Sequence, residues 1–330
     1  MMQVLVVGAG LAGCTVAREL AEKGVGVTVI EATDSIGGKV RHYGCKATDK
    51  CNNCGLCLAT SLWENVEQNE SIALRLSTKL IDLMQGAGTY TATLQSADGA
   101  IAVEQFDKVV VATGFEPTSL ESYNGFAELS SEENIITGSE LEAFLLERTS
   151  SGLFETAPNS VAFIQCYGSR DHQEHTMYCS RICCGYATRA AKVIKYFYPE
   201  CRVQFFYMEM QTVNPGEYYA SLLDAGIEFI KCRPIKVTGG ELASVIYDDP
   251  VSGKRVRDSF DLVVLSDGIR PASDADKVAE LCELSQDPAG FLHYVNPDNP
   301  DVLLTGCVGG PKKIAETYME SLALARGMLL

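Results

Sequence analysis

Eight of the 13 cysteines fall into two groups of four: Cys45, Cys51, Cys54 and Cys57, then Cys166, Cys179, Cys183 and Cys184. A thiolate is both a soft metal ligand and a redox centre, so each group carries potential chemistry. In the first group, two successive C-x2-C steps wrap a loop round a metal core with backbone N–H groups aimed at the sulfurs, and Cys45 completes the set. This spacing predicts a four-iron cluster. A four-thiolate zinc site and a Cys51–Cys54 disulfide are the competing chemistries. The second group has the spacing C-x12-C-x3-C-C. Adjacent Cys183 and Cys184 cannot easily face one centre from a regular helix, so cluster, zinc site and thiol pair all stay open on spacing alone. The other five cysteines (14, 201, 232, 282 and 307) are scattered and read as core.

A second chemistry opens the chain. The β-branched run at residues 3–7 ends on Gly8-Ala9-Gly10-Leu11-Ala12-Gly13, a helical spacing of apolar residues runs to Gly24, and a second apolar run closes on Glu31. Strand, glycine turn, helix, strand and acid form the dinucleotide-binding fingerprint. Gly8 permits the tight turn, Gly10 lets the backbone approach a pyrophosphate, and Gly13 lets helix and strand pack closely. The free N–H groups at the helix start face the anion. Glu31 follows about 20 residues on, placed for ribose hydroxyls.

The elements that must position these groups are α/β throughout. Val109-Val110-Val111 leads to Ala112-Thr113-Gly114, and a strand at 301–304 leads to Gly306-Cys307, Gly310, Pro311 and a helix starting near Pro311. The middle of the chain repeats the pattern: strands at 161–164, 203–207, 227–230 and 262–265, helices at 182–198 and 218–225, and hairpin-like runs near 235–237 and 242–247. Linkers are expected at 115–122 and 269–276. After the 161–164 strand only Gly168 remains of a glycine fingerprint, and cysteines occupy the place of a pyrophosphate. A cluster of thiolate-bound iron is an anion too, which suits a helix start flanked by Arg170 and Arg181.

Composition limits the rest. The chain has 330 residues and 43 acidic against 27 basic side chains, net charge −16, which argues against nucleic acid or an anionic membrane. No apolar run is long enough for a transmembrane segment. The uncharged start lacks a basic region and is broken by glycines, so export is not expected and a cytoplasmic, reducing location is. In so acidic a chain, Lys46, Lys50, Arg170 and Arg181 are the expected counter-charges beside the cysteines. His172 and His175 read as surface residues.

The order of these pieces resembles the thioredoxin reductase type of flavoprotein. The expected fold is two Rossmann-like dinucleotide-binding domains, the second inserted in the first: 1–117 with 273–330, including a Cys-rich insertion at 42–62, and then 118–272. That resemblance implies FAD bound by Gly8, Gly10, Leu11, Ala12, Gly13, Glu31, Gly38, Lys39, Ala112, Thr113, Gly114, Gly306, Gly310 and Pro311. Lys39 would tune the flavin, and Cys307 stands where the family has an aspartate. The run Ile164-Gln165-Cys166-Tyr167-Gly168-Ser169-Arg170-Asp171, followed by Tyr178-Cys179-Ser180-Arg181-Ile182-Cys183-Cys184, resembles the signature of the flavin-bearing A-type subunit of heterodisulfide reductase. It implies a [4Fe-4S] cluster on Cys166, Cys179, Cys183 and Cys184, an electron-transfer role and B- and C-type partner subunits, while the thioredoxin-reductase-like fold implies a homodimer. At this length the chain is similar to the short A-type subunit of bacterial sulfur-oxidation complexes, without the extra ferredoxin domains, so electron bifurcation is less expected. A competing expectation, an NAD(P)H-dependent disulfide reductase, needs a second glycine fingerprint that the sequence lacks.

Overall fold

The computed structural model describes residues 1–121, 127–211, 215–295 and 302–330. Ser122 and Asp301, expected at a linker end and a strand start, lie outside the described residues. The chain divides into two compact units. The first comprises Met1–Arg41, Gly55–Glu116 and Pro271–Leu330; the second comprises His42–Cys54 and Pro117–Arg270.

In the first unit, Val4, Leu5 and Val6 are fully buried, the mark of a strand covered on both faces. Gln3–Val7 is the middle strand of a five-stranded parallel sheet. The order is Val302–Leu304, Lys108–Val111, Gln3–Val7, Gly26–Ile30, Ile72–Arg75. Helix Leu11–Ala21 crosses from the middle strand to its neighbour. An antiparallel meander, Thr78–Gln85, Tyr90–Ser96 and Ile101–Phe106, intervenes before the Lys108–Val111 strand. Sequence reasoning passed over this meander, although Tyr90, Ala92 and Leu94 alternate as buried residues with half-buried Thr91 and Thr93.

The second unit repeats the plan. Its parallel sheet runs Ile227–Ile230, Arg202–Phe206, Ser160–Tyr167, Leu262–Asp267, Ile135–Thr137, and its meander is Lys236–Thr238, Ala243–Asp248, Arg255–Phe260. Helix Cys183–Phe197 occupies the place that Leu11–Ala21 has in the first unit. Phe163, Phe205 and Phe229 sit in register on three neighbouring strands. Their rings stack at 4.7 and 5.1 Å between centroids. Such ring pairs add to the apolar area they bury.

Two boundaries differ from expectation. Residues 42–54 of the Cys-rich insertion join the second unit, not the first, because Glu142, Arg148 and Arg189 hold their backbone and side chains. The last helix starts at Ile314 and not at Pro311. Gly310 (φ +125°) closes the short turn Gly306–Gly309, and the Lys313 amide is taken by Glu316, which fixes the helix start there.

Phe205→Ala should destabilise the second unit by roughly 3–5 kcal/mol. Urea unfolding followed by far-UV circular dichroism would measure it, and a midpoint equal to wild type would show that the ring stack contributes little.

Candidate functional site

The glycine turn of the first unit separates glycines that the protein itself requires from one that it does not. Gly8 has φ +103°, and a Cβ there would stand 2.5 Å from the Ala112 carbonyl oxygen. A Cβ on Gly13 would stand 1.9 Å from the Gly8 oxygen. At Gly10 the φ is an ordinary −74°, and the only atom near an added Cβ is Gly38 Cα at 4.0 Å. Gly10 therefore keeps open a space that no atom of the described residues fills, as a close-approaching ligand requires. Leu11 and Ala12 are buried in the first helical turn behind it.

Polar groups converge on that turn. Glu31 accepts from the Ala9 amide at 2.9 Å and from Thr33 N and Oγ1, both at 2.9 Å. Its carboxylate is thus fixed beside the turn. Thr113 Oγ1 is buried without a hydrogen-bond partner, and Gly114 (φ +81°) has open space around it. The Gly306 amide donates to Glu320 Oε2 at 2.8 Å, while Lys312 Nζ donates to the Gly306 oxygen at 2.8 Å and pairs with Glu320 at 3.3 Å. Glu320 thus brings a carboxylate to the turn in which Cys307 brings none. Sequence reasoning missed Lys312 and Glu320, whose only signal was a position on the last helix and its approach. Lys39 pairs with Glu116 at 2.6 Å, so it is no freely solvated lysine. Cys14 donates to the Ala9 oxygen at 3.2 Å, and burial pushes its thiol up to about 12, which makes it an inert core residue.

At the equivalent turn of the second unit, side chains fill the space. Gly168 has φ +72°, and a Cβ there would lie 2.0 Å from Thr118 Oγ1. Thr118 is 1% exposed, so the surviving glycine makes room for a threonine. The loop beyond it is strapped down. Tyr178 donates to the Ile269 oxygen at 2.9 Å, Ser180 Oγ accepts from the Ile269 amide at 3.0 Å, and Arg233 pairs with Asp171.

This loop and its flanking elements carry the four cysteines expected as ligands. Cys166, at φ +64°, ends the central strand, Cys183 and Cys184 start the helix, and Cys179 is half-buried between them. Burial pushes the Cys166 thiol up to about 11, helped by Cys184 and Cys179 and opposed by Arg170. The Cys183 thiol is raised by its hydrogen bond to Cys184, by burial and by the charges of the other three. Arg170 Nη1 and Ser169 Oγ are buried there without partners. Among the described residues, no group of three or more Cys, His, Asp and Glu side chains is close enough to hold a metal ion. His172 and His175 are exposed.

The first cysteine group is divided between the units. Cys45, Cys51 and Cys54 belong to the second unit, and Cys57, in the first turn of helix Leu56–Glu67, belongs to the first. Cys45, Cys51 and Cys57 are exposed. The amide two residues after the cysteine donates to sulfur at Cys45 (3.5 Å), Cys51 (3.4 Å) and Cys179 (3.3 Å), the inward N–H arrangement that stabilises a thiolate. Lys46 is not a free counter-charge: its Nζ lies 2.6 Å from Glu142, and both side chains are buried (5% and 6% exposed). Lys50 and Arg181 are exposed.

A buried carboxylate stands behind the second group. Asp267 accepts from Ser139 N (2.9 Å) and Oγ (2.5 Å) at the start of helix Gly138–Glu147, and from Tyr186 Oη (3.0 Å). Burial raises its pKa to about 6, against the pull of those donors. A carboxyl whose folded pKa is raised stabilises the fold only while protonated, so that contribution is lost as pH rises from about 4 through about 6. Asp267→Asn should therefore gain stability relative to wild type over that range, by up to roughly 3 kcal/mol at pH 7. Parallel pH profiles in urea titrations would refute the assignment.

The chain is similar to several known proteins. Residues 2–147 match the family described as pyridine nucleotide-disulphide oxidoreductase. The chain is 26% identical to the second iron-sulfur A-type subunit of CoB–CoM heterodisulfide reductase from Methanopyrus kandleri, over 98% of this chain and 63% of the relative. It is 33% identical to the iron-sulfur A-type subunit of CoB–CoM heterodisulfide reductase from Methanocaldococcus jannaschii, over 64% of this chain and 35% of the relative. The chain thus spans from about a third to about two thirds of the length of such relatives. Thioredoxin reductase from Lactococcus lactis has the same fold, with a TM-score of 0.67, 15% identity and coverage of 100% of this chain and 98% of that one. The two-domain α/β architecture is that of thioredoxin reductase.

Proposed function

We propose that this chain, similar to A-type subunits of heterodisulfide reductase, is an FAD- and iron–sulfur-containing electron-transfer component of a heterodisulfide-reductase-like complex in sulfur metabolism. The observation that carries this reading is the contrast between two equivalent turns. One keeps an open cradle over Gly10, while the other is filled by Thr118 and lined by Cys166, Cys183 and Cys184. One unit is built for a dinucleotide and its counterpart for a sulfur-bound centre.

FAD, when bound, exchanges electrons in pairs, and a four-iron cluster exchanges them singly. The residues that would hold FAD are Gly8, Gly10, Leu11, Ala12 and Gly13 at the pyrophosphate, Glu31 at the ribose, and Gly38, Ala112, Thr113, Gly114, Gly306, Gly310 and Pro311 about the remainder. Lys39 and Lys312 place positive charge in the same unit. Cys166, Cys179, Cys183 and Cys184 would hold one [4Fe-4S] cluster, and Cys45, Cys51, Cys54 and Cys57 a second. Arg170, which already lowers the Cys166 pKa, and the buried Ser169 Oγ would supply donors for the sulfurs of the first of these. B- and C-type subunits would accept or deliver the electrons, in the cytoplasm, with this chain as a homodimer.

Anaerobic purification should yield bound FAD with about four iron and four sulfide per cluster. Zinc in place of iron, or rapid reduction of the flavin by NADPH in an iron-free protein, would overturn the reading. Gly10→Ala should leave the thermal melt of the flavin-free protein unchanged, because its Cβ meets no protein atom closer than 4.0 Å. The same variant should lose most of its flavin. A fully flavinated variant would show that nothing lies against Gly10.

A further inference from the structure

We infer that Lys50, Arg189, Lys192 and Tyr196 form a docking patch for the carboxylate-rich surface of an electron-transfer protein, a partner class that follows from the function proposed above. Arg189, Lys192 and Tyr196 recur at i, i+3 and i+7 on helix Cys183–Phe197, so they share one helix face. Arg189 Nε donates to the Asn52 oxygen at 2.9 Å, which ties this face to the loop between Cys51 and Cys54. Lys50 lies two residues before Asn52 and is exposed.

Among the described residues, the charges in this patch have no carboxylate partner. Arg189 bonds only to carbonyl oxygens, those of Asn52 and Gly185. Lys192 Nζ bonds to Ser221 Oγ at 2.6 Å and lies 4.4 Å from the centre of the Tyr218 ring. Among the described residues, no carboxylate is within ion-pair distance of Lys50, Arg189 or Lys192. The nearest acid in sequence, Asp49, accepts a hydrogen bond from Thr48. The Lys192 pKa is held down by burial and by the charges of Lys50 and Arg189, so the three cations repel one another.

A chain of net charge −16 could have neutralised such a cluster many times over. Mutual repulsion without a counter-ion costs stability in the free protein and is relieved when an anion arrives. Tyr196, 52% exposed, adds an aromatic of the kind that anchors protein interfaces, which favours an acidic protein surface over a small anion. The patch also adjoins the Cys51–Cys54 loop, where a partner exchanging electrons with those sulfurs would have to sit.

The test uses the flavin-loaded protein and, as probe, an acidic two-cluster ferredoxin. Wild type should bind it with an affinity that falls as ionic strength rises from about 20 to about 300 mM. Lys50→Glu should weaken binding several-fold at low salt, and Lys50→Glu with Lys192→Glu at least tenfold, both with a flatter salt dependence. Lys50 sits on an exposed loop, so its single variant separates docking from folding. Equal affinity in the variants, or no binding by wild type, would overturn the patch. Tight binding of inorganic phosphate by wild type that excludes the ferredoxin would overturn it too, in favour of a small-anion site. Dithionite titration of the bound flavin and iron judges the proposed function independently, since it does not pass through the patch.

Discussion

The free amides where a central parallel strand hands over to a helix govern both halves of this molecule. They carry partial positive charge and cannot all be satisfied within the helix, so something electron-rich must meet them. In the first unit the solution is absence: glycines at 8 and 13 let three pieces of backbone crowd together, and the glycine at 10 leaves room above. In the second unit the same position is lined with sulfur, and a threonine side chain lies against the one glycine that remains. The sheets, the crossing helices and the meanders are alike in plan, so the difference between the units lies in what occupies a space only a few ångströms wide.

Acid is placed unevenly within this framework. Glu31 and Glu320 are oriented by backbone amides around the first turn. Glu142 is buried with a lysine, and burial still raises its pKa despite that partner. Asp267 is buried with no cation, only the start of a helix, a serine and a tyrosine. Removing either partner of the Lys46–Glu142 pair would strand a charge, which is costlier than the pair itself is stabilising. These buried acids hold segments in place; they do not make the chain's surface acidic.

Much of the site was legible from residue type and spacing. The glycine turn, Glu31 and the Ala112-Thr113-Gly114 strand end follow from steric and hydrogen-bonding needs that are local to the chain. Cys183 and Cys184 at a helix start were readable for the same reason. Glu320, Lys312, Asp267 and Thr118 were not, because their significance comes from partners far along the chain: Gly306 for the first two, Ser139 and Tyr186 for the third, Gly168 for the fourth. The placement of residues 42–54 was hidden likewise, since cysteine spacing says nothing of Glu142 or Arg189. The Thr78–Phe106 meander is marked in the sequence only by the alternation of Tyr90, Ala92 and Leu94 with Thr91 and Thr93.

The tie between Lys46 and Glu142 has a consequence for how the molecule can be divided. The chain passes from one unit to the other four times, at about residues 41, 54, 116 and 270. A fragment cut at the last two crossings would carry Glu142 without Lys46, and Arg148 and Arg189 without the Ala47 and Asn52 carbonyls that they hold. Neither unit can therefore be excised as a contiguous stretch with its own interior intact. Genetic exchange of the second unit would have to move two separate pieces together, and exchange of the first unit three.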